Sequence, residues 1–317
     1  MNTSGKKVIA VMGATGAQGG GLIRAILADK DSPFAVRAIT RDVNSEAAKA
    51  LAKQGVEVVA ANVDDVASLE KAFAGAYGAF LVTFFWAHMS GEREATEAKN
   101  LATACKAAGI KHAVWSTLED TRQWLPITDA RMPVLQGKYN VPHFDAKGEA
   151  NALFTQLGVP TTFLNTSFYW ENFIYFGAGP KPGPDGTLTL TLPMGDKKLP
   201  GIASGDIGKA ANAIFKDASM IGKTISIAGE HLTGEQMAAA MSKAFGKPVR
   251  YQAVPPDVYR GFGFPGADEM GNMYQIKADF EADYCGARDL AATRKLVPSL
   301  QTFEAWLSQN ASQIPLS

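Results

Sequence analysis

Through the first half of the chain, short apolar, β-branched runs alternate with longer segments whose hydrophobic positions recur at helical spacing. The runs at 7–12, 35–40, 56–60, 79–84 and 113–117 predict strands, and 20–29, 46–54, 68–74 and 92–108 predict helices. In the last of these, Ala95, Ala98, Leu101, Ala102 and Cys105 fall on one apolar stripe. Strand, helix, strand at this spacing implies right-handed crossovers and parallel pairing. Nearly uninterrupted apolar strands fit a sheet covered on both faces. A helix over 143–157 and a strand over 161–165 add a sixth unit, so the pattern predicts an α/β fold built on a doubly wound parallel sheet.

Past Thr166 the pattern loosens. Aromatic residues cluster over 168–176, and 177–186 (GAGPKPGPDG) has the composition of a turn-rich linker. Residues 187–192 (TLTLTL) alternate strictly, as a half-buried strand does, and helices are predicted near 206–215, 234–245 and 302–309. The expected organisation is a sheet domain over 1–166 and a smaller α/β lobe over 167–317, interleaved with the sheet.

Thirty-one basic residues balance thirty-one acidic ones in 317, so no net field draws the chain to nucleic acid or to an anionic membrane. Residues 1–7 lack the apolar centre of a secretory signal, and no apolar stretch is long enough for a membrane span. Cys105 and Cys285 match no metal or redox spacing and read as reduced thiols of a cytoplasmic protein, nuclear entry remaining open. His88, His112 and His231 show no metal-ligand spacing either, and no metal is expected.

One motif carries chemistry. Gly13-Ala-Thr-Gly16-Ala-Gln-Gly19 follows the first predicted strand and opens the first helix, the context in which glycines at this spacing cradle a pyrophosphate. Gly13 suits the sharp turn, Gly16 lets a phosphate approach the backbone, and Gly19 lets the helix lie close to the strand. The N–H groups of Thr15 to Gly19, Ala17 among them, and the positive end of the helix dipole then face the ligand, with Thr15 and Gln18 as side-chain donors. The competing reading is a tight turn with no ligand. Arg41, at the end of the second strand, offers a guanidinium for a 2′-phosphate, which points to NADP(H) over NAD(H). Asp42 either argues for the ribose diol or caps the next turn.

The glycine turn, Thr40-Arg41, Asn62-Val-Asp-Asp65, His143-Phe-Asp-Ala-Lys-Gly-Glu149, Phe168-Tyr-Trp-Glu-Asn-Phe173 and Gly263-Phe-Pro-Gly-Ala267 together resemble the NmrA-like family, atypical relatives of the short-chain dehydrogenases. The resemblance implies a Rossmann-type, NADP(H)-binding fold with a second lobe. It places further cofactor contacts at Asn62, Val63, Thr83, Phe84, Lys147 and Tyr169, Trp170, Glu171 and Asn172. Asn62 stands where an acidic residue is common in the family, and Phe84 where a polar one is.

Catalytic short-chain dehydrogenases pair a tyrosine with a lysine four residues on. Here Lys147 is present and His143 stands in the tyrosine's position, directly after Pro142. His143 is either a substitute acid or a capping residue. Ser116 or Thr117 can polarise a carbonyl. Phe84, Phe85, Trp86, Phe168, Tyr169 and Trp170 either line a pocket for a flat substrate or fill the core, the core reading standing slightly ahead. The first functional reading is a redox-state sensor or regulator that binds NADP(H), acts through a protein partner and has little dehydrogenase activity. The second is an NADPH-dependent reductase of a quinone or other small conjugated carbonyl compound.

Overall fold

The computed structural model of the chain describes residues 5–183 and 185–316. Residues 1–4 of the N-terminal stretch and Pro184 of the 177–186 segment lie outside the described residues. The chain divides into two compact units. The first gathers residues up to Asp120, His143–Asn165 and Ile207–Ile225; the second holds Thr121–Pro142, Thr166–Asp206 and everything from Ser226 on. The sequence pattern sets a single boundary near 166; each of these units is assembled from separated stretches of the chain.

The first unit is built on β1 (Lys7–Val11), α1 (Ala17–Ala28), β2 (Phe34–Thr40), α2 (Glu46–Lys53), β3 (Glu57–Ala60), α3 (Val66–Phe73), β4 (Gly78–Leu81), α4 (Gly91–Ala107), β5 (His112–Thr117), α5 (Pro142–Gln156) and β6 (Thr161–Asn165). Its sheet has seven strands in the order Thr224–Ser226, β6, β5, β4, β1, β2, β3. Neighbours from β6 to β3 pair in parallel. This is the doubly wound Rossmann-type sheet that the alternating pattern implies. Beside β1 the strand order reverses, Val11 lying between Ala38 of β2 and Phe80 of β4. Crossovers leave in opposite directions there, which opens a crevice at the carboxyl ends of the strands.

The core under this sheet is packed by Leu69, Phe73, Leu81, Leu101, Trp115 and Phe154 with the alanines of α4. On the other face, helix Ser204–Lys216 returns to the sheet because two glycines let backbones touch. A Cβ on Gly208 would stand 2.1 Å from the Gly21 carbonyl carbon in α1. Lys216 also pairs with Asp29 at the end of α1.

The second unit carries two three-stranded sheets, one ordering Glu230–Thr233, Lys198–Ile202 and Phe168–Tyr169, the other Val249–Ala253, Leu188–Leu192 and Lys181–Pro182. Helices Pro256–Arg260, Ala267–Asp279, Glu281–Gly286 and Leu290–Leu296 have no counterpart in the sequence reading. The buried face of Ala267–Asp279 carries Glu269, Asn272 and Lys277, so apolar periodicity does not reveal it. Asn272 Nδ2 donates to the carbonyls of Asn140 (2.7 Å) and Pro133 (2.9 Å) instead. No described helix is long and apolar enough to cross a membrane.

Candidate functional site

Parallel pairing brings the carboxyl ends of β1 to β6 to the same edge. The glycine turn leaves β1 there, Arg41 leaves β2, Asn62 and Val63 leave β3, Thr83 and Phe84 leave β4, and Ser116 and Thr117 end β5. Positions scattered over more than a hundred residues thus share one rim of the first unit.

In the turn, Gly13 has φ +59°, a conformation that favours glycine, and its carbonyl accepts from the Gly16 N–H at 2.9 Å. Helix α1 begins at Ala17, three residues earlier than its pattern predicts, with Gly16 as N-cap and no acidic side chain in its first turn. Its first N–H groups therefore have no intrahelical acceptor and no competing carboxylate. Gly13, Thr15, Gly16 and Ala17 are exposed. The three glycines differ in what a side chain would meet. A Cβ on Gly19 would fall 2.4 Å from the Gly13 carbonyl oxygen, whereas one on Gly16 would stand 3.2 Å from it. Gly19 is needed by the turn itself; Gly16 is exposed, and its Cβ would meet nothing else within 4 Å, which leaves the room that a pyrophosphate approaching the backbone requires.

Arg41 is exposed and has no hydrogen bond or ion pair among the described residues. Asp42 turns to its own loop, Oδ1 accepting from the Asn44 N–H at 2.8 Å. Asn62 does likewise, accepting from the Asp64 N–H at 3.2 Å, while Val63 packs on the core and its carbonyl accepts from Asn100 Nδ2 at 3.0 Å. Ser116 Oγ donates to Gln18 Oε1 at 2.8 Å, and Thr117 Oγ1 donates to Asn151 Oδ1 at 2.8 Å. Both hydroxyl protons are thereby occupied, which removes the simplest way for either residue to polarise a carbonyl.

Lys147, on α5, does not stand alone. Its Nζ donates to Thr83 Oγ1 at 2.5 Å and pairs with Glu94 of α4, whose carboxylate also accepts from the Thr83 hydroxyl. The ammonium lies 5.1 Å over the Trp115 ring. Glu94 is fully buried. Burial opposes its charge, but the Lys147 ammonium, with hydrogen bonds from His88, Lys147 and Thr83, outweighs burial and holds the carboxyl down at about 2. The buried stripe of α4 runs through Glu94, Glu97, Ala98, Leu101 and Cys105, and Ala95 of the predicted stripe is only half-buried. Glu94 precedes Ala98 by four and Leu101 by seven, so its place on that face is readable from the sequence, although a carboxylate is rarely buried there unless it is paired.

His88 reaches the same cluster, its Nε2 3.5 Å from Glu94 and 3.6 Å from Glu97. The three offer ligand atoms within 4.8 Å of one another, a spacing that suits a metal and that the sequence spacing did not suggest. The histidine tautomer favours a proton there instead. His88 Nδ1 accepts from the Ser90 N–H at 3.1 Å, so the ring hydrogen sits on Nε2, directed at the carboxylates. Burial raises the Glu97 carboxyl, and neighbouring Glu94 adds to that, against the pull of Arg93.

Of the aromatic set, Phe85, Phe168 and Trp170 are buried, Trp86 and Tyr169 are half-buried, and Phe84 is 57% exposed. His143 is buried, 5.0 Å from the Trp86 ring, 5.7 Å from Phe85 and 4.8 Å from Phe144. Tyr169 to Asn172 belong to the second unit. There Trp170 packs on Phe303 at 5.3 Å, and Glu171 accepts from the Ser204 N–H (2.9 Å) and Trp306 Nε1 (3.2 Å). The Trp170 and Glu171 side chains thus serve that unit's packing. Tyr169 Oη lies 3.1 Å from Thr166 Oγ1, and Asn172 opens a four-residue helix.

A model of the family described as the NmrA-like family matches residues 5–307. The NmrA-like family domain-containing oxidoreductase malD of Malbranchea aurantiaca is 32% identical over 260 residues, 78% of this chain and 76% of that one. Among solved structures, NmrA, a negative transcriptional regulator, matches in complex with NAD (TM-score 0.78) and with NADP (TM-score 0.77), at 27% identity over 96% of this chain and 95% of that one. The NADPH-dependent quinone oxidoreductase QOR2 of Escherichia coli, complexed with NADPH, matches at 25% identity and TM-score 0.70, covering 96% and 98%.

Proposed function

Since this chain belongs to the NmrA-like family, we propose that it binds NADP(H) at the carboxyl edge of the seven-stranded sheet and reduces a flat, conjugated acceptor such as a quinone. The carrying observation is Phe84, exposed just beyond β4, on the same rim of the first unit as the end of β5, with His143 on α5 packed on Trp86 and standing where the short-chain dehydrogenases carry their tyrosine acid. NADPH supplies a hydride when bound. The N–H groups of residues 15–19 would hold its pyrophosphate over the open backbone at Gly16, Arg41 a 2′-phosphate, and Lys147 the ribose. Asp42, occupied by its own turn, leaves the Arg41 side of the rim without a carboxylate aimed at a ribose diol. Arg41→Ala should therefore weaken NADP(H) about tenfold or more, the worth of a charge-assisted contact, while NAD(H) changes little. Parallel titrations with the two cofactors check it, and equal affinities in the parent protein would count against the role of Arg41.

The exposed Phe84 offers a ring against which a planar acceptor can lie. A quinone that gains a hydride becomes a stabilised phenolate and takes its proton from water, so it needs little acid assistance. A simple ketone becomes an alkoxide, for which a placed acid contributes about 10²–10⁴-fold. NADPH oxidation should consequently be seen with quinones, be negligible with simple ketones, and survive His143→Ala. Ketone turnover that disappears with His143 would instead make this histidine the acid. The regulator reading rests on the 27% identity to NmrA over nearly the whole chain. It is the outcome if NADPH binds and no acceptor is reduced.

A further inference from the structure

Resting on the cofactor reading above, we infer that Glu94 is the positioning residue for Lys147: its buried carboxylate keeps the ammonium charged and anchored, so that one N–H stays available to a ribose hydroxyl. An ammonium has three protons to donate. One goes to Glu94 and one to Thr83, and among the described residues no other acceptor takes the third. Thr83 has a single proton, which goes to Glu94. Its hydroxyl therefore serves the lysine as an acceptor, and Thr83 can meet a cofactor through its backbone but not as a side-chain donor.

Three segments close the arrangement. Thr83 lies just beyond β4, Glu94 in the first turn of α4 and Lys147 on α5, so the group ties together two helices and the strand beside the point where the sheet order reverses. Glu94 is anchored in turn, Oε2 facing His88 Nε2 at 3.5 Å. Gly148 sets α5 close to the chain beyond β5, since a Cβ there would stand 2.5 Å from the Asp120 nitrogen. Such fixation matters because a lysine has four rotatable side-chain bonds, and one held beforehand loses less freedom on binding.

Charged and titratable neighbours are His88, Arg93 and Glu97 on the α4 side, and His143, Asp145 and Glu149 on α5 itself. Glu119 and Asp120 face α5 from the loop after β5. Only Glu94 forms an ion pair with Lys147 among the described residues.

The test is direct NADPH binding by the full chain, read by quenching of protein fluorescence from pH 6 to 9. Lys147→Met should raise the Kd about tenfold or more at every pH. Glu94→Gln should stay within about threefold of the parent at pH 6 and approach the Lys147→Met value by pH 9, because a buried ammonium without its counterion gives up its proton as pH rises. Glu94→Asp keeps the charge but draws it back by one methylene, so its Kd should rise with a flat profile; it also carries the test if Glu94→Gln does not fold. A parental Kd and flat profile in the folded Glu94 variants, with Lys147→Met still impaired, overturns the role of Glu94. A parental Kd in Lys147→Met overturns the ribose reading of Lys147 and this inference with it.

Discussion

Glu94→Ala should destabilise the protein by about 3–5 kcal/mol near neutral pH, the cost of leaving a buried charge without its partner. Lys147 is the charge left behind, with a side chain only 11% exposed, while that of Glu94 is fully buried. Surface ion pairs are worth a fraction of this, and burial makes the difference. The double variant Glu94→Ala/Lys147→Met should recover most of the loss, because no uncompensated charge remains. Urea unfolding of the three proteins measures it, and a Glu94→Ala loss under about 1 kcal/mol would show that the pair is solvated. The dependence on pH has a definite sign. Glu94 is held near 2 against an ordinary 4.5, so its contribution is present in full above about pH 4.5 and is lost as the pH falls toward 2. Parent and variant should converge over that interval.

Gly16→Val should abolish dinucleotide binding and leave the fold intact. Gly16 has φ −89° and ψ 179°, extended geometry that valine adopts readily, and its new Cβ meets the Gly13 carbonyl oxygen at 3.2 Å, which a small shift relieves. The branched side chain would then stand where the pyrophosphate must approach the backbone. Two or more charge-assisted contacts at about 1.5–3 kcal/mol each are at stake, so the Kd should rise at least about a hundredfold. Circular dichroism and urea unfolding confirm the fold, and a parental Kd in a folded variant would remove the turn from the site. Gly19 is no substitute for this experiment. A Cβ at 2.4 Å from backbone would disrupt the turn, and lost binding would then say nothing about the ligand.

The sheet was legible because both of its signals are local. Apolar runs alternating with helical spacing survive any tertiary arrangement, and five of the six predicted strands lie within about one or two residues of those observed. The exception, 79–84, ends early as β4 at Leu81, where the chain leaves the sheet to place Thr83 and Phe84 at the rim. The glycine turn was legible for the same reason, since three glycines between a strand and a helix carry their geometry with them. In the second unit, helix Ala267–Asp279 escaped notice because hydrogen-bonded Asn272 and buried Glu269 and Lys277 take places on its inner face that a pattern reading reserves for apolar residues.

By itself, the amino-acid sequence determined the α/β alternation, the parallel sheet, the glycine-rich turn at Gly13 to Gly19 and the presence of a lysine four residues after His143. All of these are properties of neighbours along the chain. Only the tertiary structure decided what the lysine is bound to. Glu94 lies 53 residues before it and Thr83 64 residues before it, and the three meet because β4, α4 and α5 converge in the first unit. A carboxylate on an amphipathic helix is ordinarily solvated, and burial is tolerated only where an opposite charge arrives to compensate it. That compensation comes from a distant segment, so no local pattern contains it.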